Sequence, residues 1–547
     1  MLDMWYKNAV MYCLDVETYM DGNNDGIGDF EGLTQRLNYI AGLGITCIWL
    51  MPFYPTPNRD NGYDVMDFYN VDPHLGTLGD FVEFTRLASE RGIRVIIDLV
   101  VNHTSIEHPW FQTACQDKSS KYHNFYVWSQ EKPKDAEDGI IFPGVQESTW
   151  TYNEQADAYY FHRFYEHQAD LNIANPQVRE EINKIMGFWI KLGVSGFRID
   201  AAPFLIELKG IEEQADGTDP YTYLKEMRNF LSWRCGDAIL LAEANVPMED
   251  VPLYFGDGDK MQMLFSFMVN QHLILALAQE QAEPIVRGLN APPEIPAIGQ
   301  WAYFIRNHDE LSLDKLSEAE QNEIMTRFNQ DREKVWIYDR GIRRRFPPLI
   351  NSDPHRLRLA YSLMLTLPGT PVLFYGEEIS MGDDLCLPER SSIRTPMQWS
   401  SESNAGFSTA PADKLIRPVI SDEKYGYQQL NVIDQRRDSN SFLNWMERAI
   451  RVRKECPEFG WGTWNLIKTN HPSVFAHRCE WRGGVVLAVH NLSKEACTVT
   501  LELEAEESKQ LIDLLGGQQY KMINGNAHSI QLEGYGYYWF RIGEQHL

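Results

Sequence analysis

The sequence predicts an α/β chain: a closed (β/α)8 barrel, a small domain inserted after its third strand, and a C-terminal all-β sandwich. Three observations carry that reading. Eight short apolar runs alternate with amphipathic helical stretches. Two segments, 103–175 and 311–355, break the rhythm, and after about Gly460 short strands separated by turn residues take over. Near-continuous apolar runs suit parallel strands covered on both faces, and eight of them with intervening helices close into a barrel. A doubly wound open sheet is the alternative topology for the same alternation.

In chain order, the runs are Ala9–Val16, Ile45–Leu50, Arg94–Val101, Gly196–Asp200, Ala238–Glu243, Met261–Phe267, Trp301–Asn307 and Pro371–Gly376. Leu78–Arg91, Gln177–Leu192 and Tyr221–Cys235 show the helical period between them. Residues 1–102 and 176–455 are therefore assigned to the barrel. The aromatic-rich stretch 103–175 is too long for an ordinary connection and is read as the inserted domain. The charged segment 311–355, with its basic run Arg343–Arg345, is read as a helical insertion. Val485–Val489, Cys497–Leu503 and Gly536–Ile542 place the sandwich at 460–547.

Composition narrows the partners. Lys plus Arg number 50 against 77 Asp plus Glu, a net charge of −27 that argues against nucleic acid. No apolar run approaches the ~20 residues of a membrane-spanning helix, so no membrane partner is expected. The start, MLDMWYKNAV, lacks an export signature, and the eight cysteines show no C-x-x-C pair. They read as small buried hydrophobes in a reducing compartment, which predicts a cytoplasmic protein. Aromatic residues make up 12% of the chain, a supply for a large core or for flat-faced ligands such as sugars.

Functional side chains of such a barrel gather where its strands end. Asp98, Asp200, Glu243 and the triplet His308-Asp309-Glu310 all fall there. One carboxylate at a buried strand end is commonly structural, but four on one rim make an acidic pocket. Paired carboxylates without a nucleophilic Ser or Cys suit glycoside chemistry, one attacking the sugar C1 and one donating a proton to the leaving oxygen. Arg198, on the face of Asp200, would hold that carboxylate ionised and oriented. Separately, Asp21, Asn23, Asp25, the Ile27 carbonyl and Asp29 form a hard-cation pattern for Ca2+ or Mg2+. The twelfth position is Gly32, not the bidentate Glu of an EF-hand, and a metal-free Asx-rich turn is the alternative. No organic cofactor is expected.

DLVVNHTS (98–105), GFRID (196–200), LLAEAN (240–245) and RNHDE (306–310) resemble the four core motifs of glycoside hydrolase family 13, the α-amylase family. The resemblance runs over nearly the whole chain. It implies Asp200 as nucleophile, Glu243 as general acid/base and Asp309 as transition-state stabiliser. It also implies sugar contacts from Tyr63, Asp64, His103, Phe164, Arg198, Asn245, His308 and Glu310, with Arg390 or Arg394 completing the pocket. A second ion is implied at Asn102, Asp170 and Glu207 with the carbonyls of Phe204 and Leu205.

Within the family, phrases such as PFYPTPNRDNGYDV, FHRFYEHQADLN and GIRRR are similar to those of trehalose synthases, which interconvert maltose and trehalose. Departures fall at Phe204, where those enzymes usually have Tyr, at Asp314 in place of a Glu, after Glu207, and in AEAN-VPMED. The expected substrates are maltose, trehalose and short α-glucosides. Retention of the freed glucose gives isomerisation through a covalent glucosyl-enzyme, and admission of water gives an α-glucosidase or amylase-type hydrolase. A non-catalytic binding barrel would lack the acids, and all three are present. The C-terminal sandwich is the expected surface for a homodimer or higher homo-oligomer.

Overall fold

The computed structural model describes residues 3–207, 219–503, 510–516, 519–520 and 527–543. Eight strands close a barrel: β1 (Met11–Leu14), β2 (Cys47–Leu50), β3 (Arg94–Leu99), β4 (Gly196–Ile199), β5 (Ile239–Ala242), β6 (Met263–Phe265), β7 (Gln300–Tyr303) and β8 (Thr370–Phe374). They pair in sequence order, and β8 closes on β1, with Met11 opposite Val372. Every barrel pairing is parallel. The open-sheet alternative is thereby excluded.

The strands are shorter than their apolar runs. Parallel strands of a barrel splay at the mouth, so residues beyond the last ladder pair leave the sheet while still buried. Asp200 and Glu243 stand one residue past β4 and β5, and Asp309 lies on a loop six residues past β7. Helix α1 (Leu78–Glu90) starts with a capping box between Thr77 and Asp80. Helix α2 (Pro176–Lys191) starts on an Asn175 cap with Pro at its first turn, and buries Val178, Ile182, Ile185, Met186 and Trp189 against the barrel.

The segment after β3 forms a two-stranded pair, His103–Ser105 with Gln168–Asp170, and a three-stranded sheet of Trp128–Ser129, Ala158–Phe161 and Trp150–Asn153. It also contains a helix, Pro109–Gln116. The excursion after β7 holds the helix Glu318–Arg327 and a small three-stranded sheet, so it is not purely helical. Near the C-terminus, a six-stranded antiparallel sheet faces the two-stranded pair Cys497–Glu502 and Ala527–Leu532. The strand Gly484–Asn491 alternates between two cores, with Val486 and Ala488 in the main one and Leu487 and Val489 in that between the sheets. All eight cysteines are free; five are buried as expected, but Cys386 is exposed and Cys235 and Cys497 are half-buried.

Gly196 begins β4, and a Cβ there would stand 2.4 Å from the Ile239 carbonyl oxygen on β5. Gly196→Ala therefore pushes β4 from β5 just before Arg198 and Asp200. The expected result is a loss of roughly 2 kcal/mol in a denaturant titration, together with a fall in activity.

Candidate active site

Arg198 is the anchor of the barrel mouth. It points inward from β4, only 1% exposed, and its Nη1 donates to Asp98 Oδ1 at 2.5 Å and Asp200 Oδ1 at 2.6 Å. Its Nη2 lies 3.0 Å from Glu243 Oε2. Asp98 is fixed from its other side by Trp49 Nε1 at 2.9 Å. Immediately after Asp200, Ala201 takes φ +48°, a turn that brings its N–H to donate to Glu243 Oε2 at 3.0 Å. A non-glycine residue in this region is strained and persists only where its surroundings hold it.

A second cluster comes from the loop after β7. Asp309 Oδ1 receives Arg390 Nη1 and Arg394 Nη2, each at 3.0 Å, and His308 Nε2 stands 3.3 Å from its Oδ2. The His308 ring is stacked on Tyr63, whose hydroxyl is 2.6 Å from Nε2. Glu310 is held by Arg390 Nε and Arg340 Nε, both at 2.8 Å, and Arg340 Nη1 reaches across to the Ile141 carbonyl at 2.5 Å. One guanidinium thus ties the barrel rim to both excursions.

Between the clusters lies a cavity of about 300 Å³, at the small end for small-molecule sites. Asp200, Glu243 and Asp309 line it, with Tyr63, His103, Phe164, Asn245, Glu310 and Arg390. Arg198, His308 and Arg394 stand behind this wall and act on the lining through the contacts above. Asp64 lies outside the lining residues. Its side chain accepts from Thr56 Oγ1 at 2.8 Å and from the main-chain N–H groups of Arg59 and Asp60, is fully buried, and does not line the cavity. Asp60 lines it instead.

The carboxyl groups are tuned apart. Burial pushes Glu243 up to about 7 against the pull of Arg198, with Asp200 and Asp309 adding to the rise. Burial raises Asp200 to about 6, again opposed by Arg198. Burial also works to raise Asp309, but Arg390, His308, Arg394 and Arg198 overcome it and hold that carboxyl well below the ordinary range. Two groups poised near neutrality beside one that stays ionised are what acid–base work on a glycosidic bond needs.

Several lining residues went unread in the sequence. Asp60 and Gln168 sit inside quoted motif phrases, so a signal for them existed. Phe142 and Arg340 reach the cavity from the two excursions, where no periodic pattern marks them. Phe204, singled out in the sequence as standing where Tyr is usual and as a carbonyl donor to an ion, lines the cavity.

The expected second ion set is not gathered. Glu207 is turned to Arg163 Nη2 at 2.6 and 2.8 Å, while Asp170 accepts from Asn102 Nδ2 at 3.2 Å and from Arg163 N at 3.0 Å. At the first loop, Asp21 accepts from the N–H groups of Asn24 and Gly26, and Asp29 from those of Gly22, Asn23 and Gly32. Asn23 and Asp25 fold onto the N–H groups of Asp25 and Ile27. These donors remain hard oxygens with lone pairs to spare, the chemistry a hard cation takes, while their side chains are turned to local N–H groups.

A parallel barrel with buried, separately tuned carboxylates around a sugar-sized cavity defines an enzyme of the glycoside-processing barrels. The chain belongs to the α-amylase family: the family "Alpha amylase, catalytic domain" matches residues 16–462, and "Sucrose hydrolase-like, C-terminal domain" matches 483–541. It is 40% identical to a trehalose synthase/amylase of Mycolicibacterium smegmatis, covering 99% of this chain and 93% of that one. It is 39% identical to a trehalose synthase of Pimelobacter sp., covering 98% and 96%. Among solved structures, a trehalulose synthase MutB superposes with a TM-score of 0.76 at 25% identity, covering 98% of this chain and all of the other.

The tuning fixes a pH profile. Asp200 must be ionised, so activity falls as pH drops through about 6, and Glu243 must carry a proton, so it falls as pH rises through about 7. The expected kcat/KM profile on maltose is a narrow bell between those limbs, which belong to the coupled pair.

Proposed function

We propose that the protein interconverts maltose and trehalose by retaining transglucosylation inside the cavity at the barrel mouth. The observation that carries this reading is the roof: Arg340 joins Glu310 to the Ile141 carbonyl over carboxylates poised at about 6 and about 7. Glu243 protonates the glycosidic oxygen as an Asp200 oxygen attacks C1. The C1–O bond breaks, free glucose forms, and a β-glucosyl ester remains on Asp200. The retained glucose turns, and its anomeric hydroxyl attacks C1 while Glu243 takes back the proton. The ester bond breaks and α,α-trehalose is released. Asp309, held ionised by its arginines, stabilises the positive charge that develops on the sugar ring.

Water competing for the glucosyl ester gives glucose, and Phe204 favours that share because its ring offers the retained sugar no hydroxyl. In maltose followed by anomeric NMR, trehalose should be the main product and glucose the minor one. Glucose without trehalose would overturn the isomerase reading in favour of an α-glucosidase. Arg340→Ala opens the roof and should raise the glucose-to-trehalose ratio several-fold, with consumption of maltose less affected.

The reading includes one structural Ca2+ or Mg2+ at Asp21, Asn23, Asp25, the Ile27 carbonyl and Asp29, and no step of the chemistry passes through it. Chelation with EDTA should lower the melting temperature and leave the shape of the pH profile unchanged. An unchanged melting temperature would return the loop to a metal-free Asx-rich turn.

A further inference from the structure

The three-stranded sheet of the excursion after β3 carries aromatic rings on both faces. On one face, Trp128 and Tyr160 pack on Phe111, a core residue. On the other, the antiparallel register sets Trp150 opposite Phe161 and Tyr152 opposite Tyr159, with ring centroids 5.1 and 5.2 Å apart. Cross-strand partners and residues two apart share a face, so these four rings form one ladder with its rungs about 7 Å apart. Its outer rung is open to solvent: Tyr152 is 46% exposed and Tyr159 is half-buried.

The inner rung leads back to the cavity. The Arg163 guanidinium lies 5.2 Å from the Phe161 ring and 5.3 Å from the Phe204 ring, and Phe204 lines the cavity beside Phe164. Aromatic rings, tilted or edge-to-face against one another and bridged by Arg163, therefore lead from the cavity wall to the outer surface. The exposed carboxylates Glu154 and Asp157 flank the outer rung, and Asp157 accepts from the Tyr152 hydroxyl at 2.7 Å. Such acids repel phosphate, which excludes stacked nucleotides, and supply acceptors for neutral hydroxyls.

We infer that this face is a second carbohydrate site, which holds an α-glucan chain outside the cavity by stacking its rings on Tyr152, Tyr159 and Trp150. The choice of an α-glucan rests on the α-glucoside reading of the cavity. A chain of several glucose units exceeds a cavity of about 300 Å³, and the ladder offers the adjoining surface.

Native electrophoresis in gels with and without glycogen tests the inference. The protein should be retarded by glycogen, and Tyr152→Ala should weaken the apparent affinity roughly fivefold to tenfold, with kcat on maltose unchanged. Since Tyr152 is an exposed side chain, the variant should keep the parent melting temperature. Retardation should persist when maltose saturates the cavity. No retardation of the parent, equal retardation of Tyr152→Ala, or abolition by maltose would each overturn the inference. Exclusive hydrolysis of maltose would overturn the isomerase reading and leave this one standing.

Discussion

The barrel mouth depends on one buried cation. Asp98, Asp200 and Glu243 come from three neighbouring strands, and desolvation would keep all three from ionising together near neutral pH. Arg198 sits among them with almost no contact with water and offsets part of that repulsion through short, directed hydrogen bonds. The compensation is partial, and function follows from the remainder. Full neutralisation would leave two ordinary carboxylates, whereas here Glu243 is raised to about 7 and Asp200 to about 6. Asp309 has two guanidinium neighbours of its own, Arg390 and Arg394, which hold it ionised apart from this balance.

The two excursions complete what the barrel begins. β-strand ends can place carboxylates with precision but leave the mouth open to solvent. Phe142 and Arg340 arrive from opposite sides and meet, with the guanidinium 5.8 Å from the ring, and Arg390 lies 5.1 Å from the same ring. The cover over the mouth therefore rests on a few polar and stacking contacts between long loops, while the acids rest on the sheet. Chemistry and water exclusion can vary independently in such an arrangement.

Most of the fold was legible in the sequence because parallel strands buried on both faces leave unbroken apolar runs, as in Arg94–Val101. Run length overstated the strands, since Val100 and Val101 stay buried after the ladder has ended at Leu99. That Asp200, Glu243, Asp309 and Arg198 gather at the barrel mouth was legible because each belongs to a recognisable phrase close to a strand end. For Asp64 a motif gives the neighbourhood and not the direction of the side chain, which is set by three local donors, Thr56 Oγ1 and the N–H groups of Arg59 and Asp60. Phe142 and Arg340 were not legible at all. Their position depends on how two irregular segments meet, and no periodicity encodes that.

The strand Gly484–Asn491, with one face in each core, has a consequence for unfolding. The C-terminal sheet is a wall shared by two hydrophobic interiors, with Trp539 and Phe475 committed to the barrel side and Leu487 and Phe540 to the other. Loss of that sheet would bare the barrel side of the shared wall, so the barrel and the sandwich are tied into one cooperative transition. Truncation before the C-terminal strands would then yield an aggregating barrel and not a smaller working enzyme.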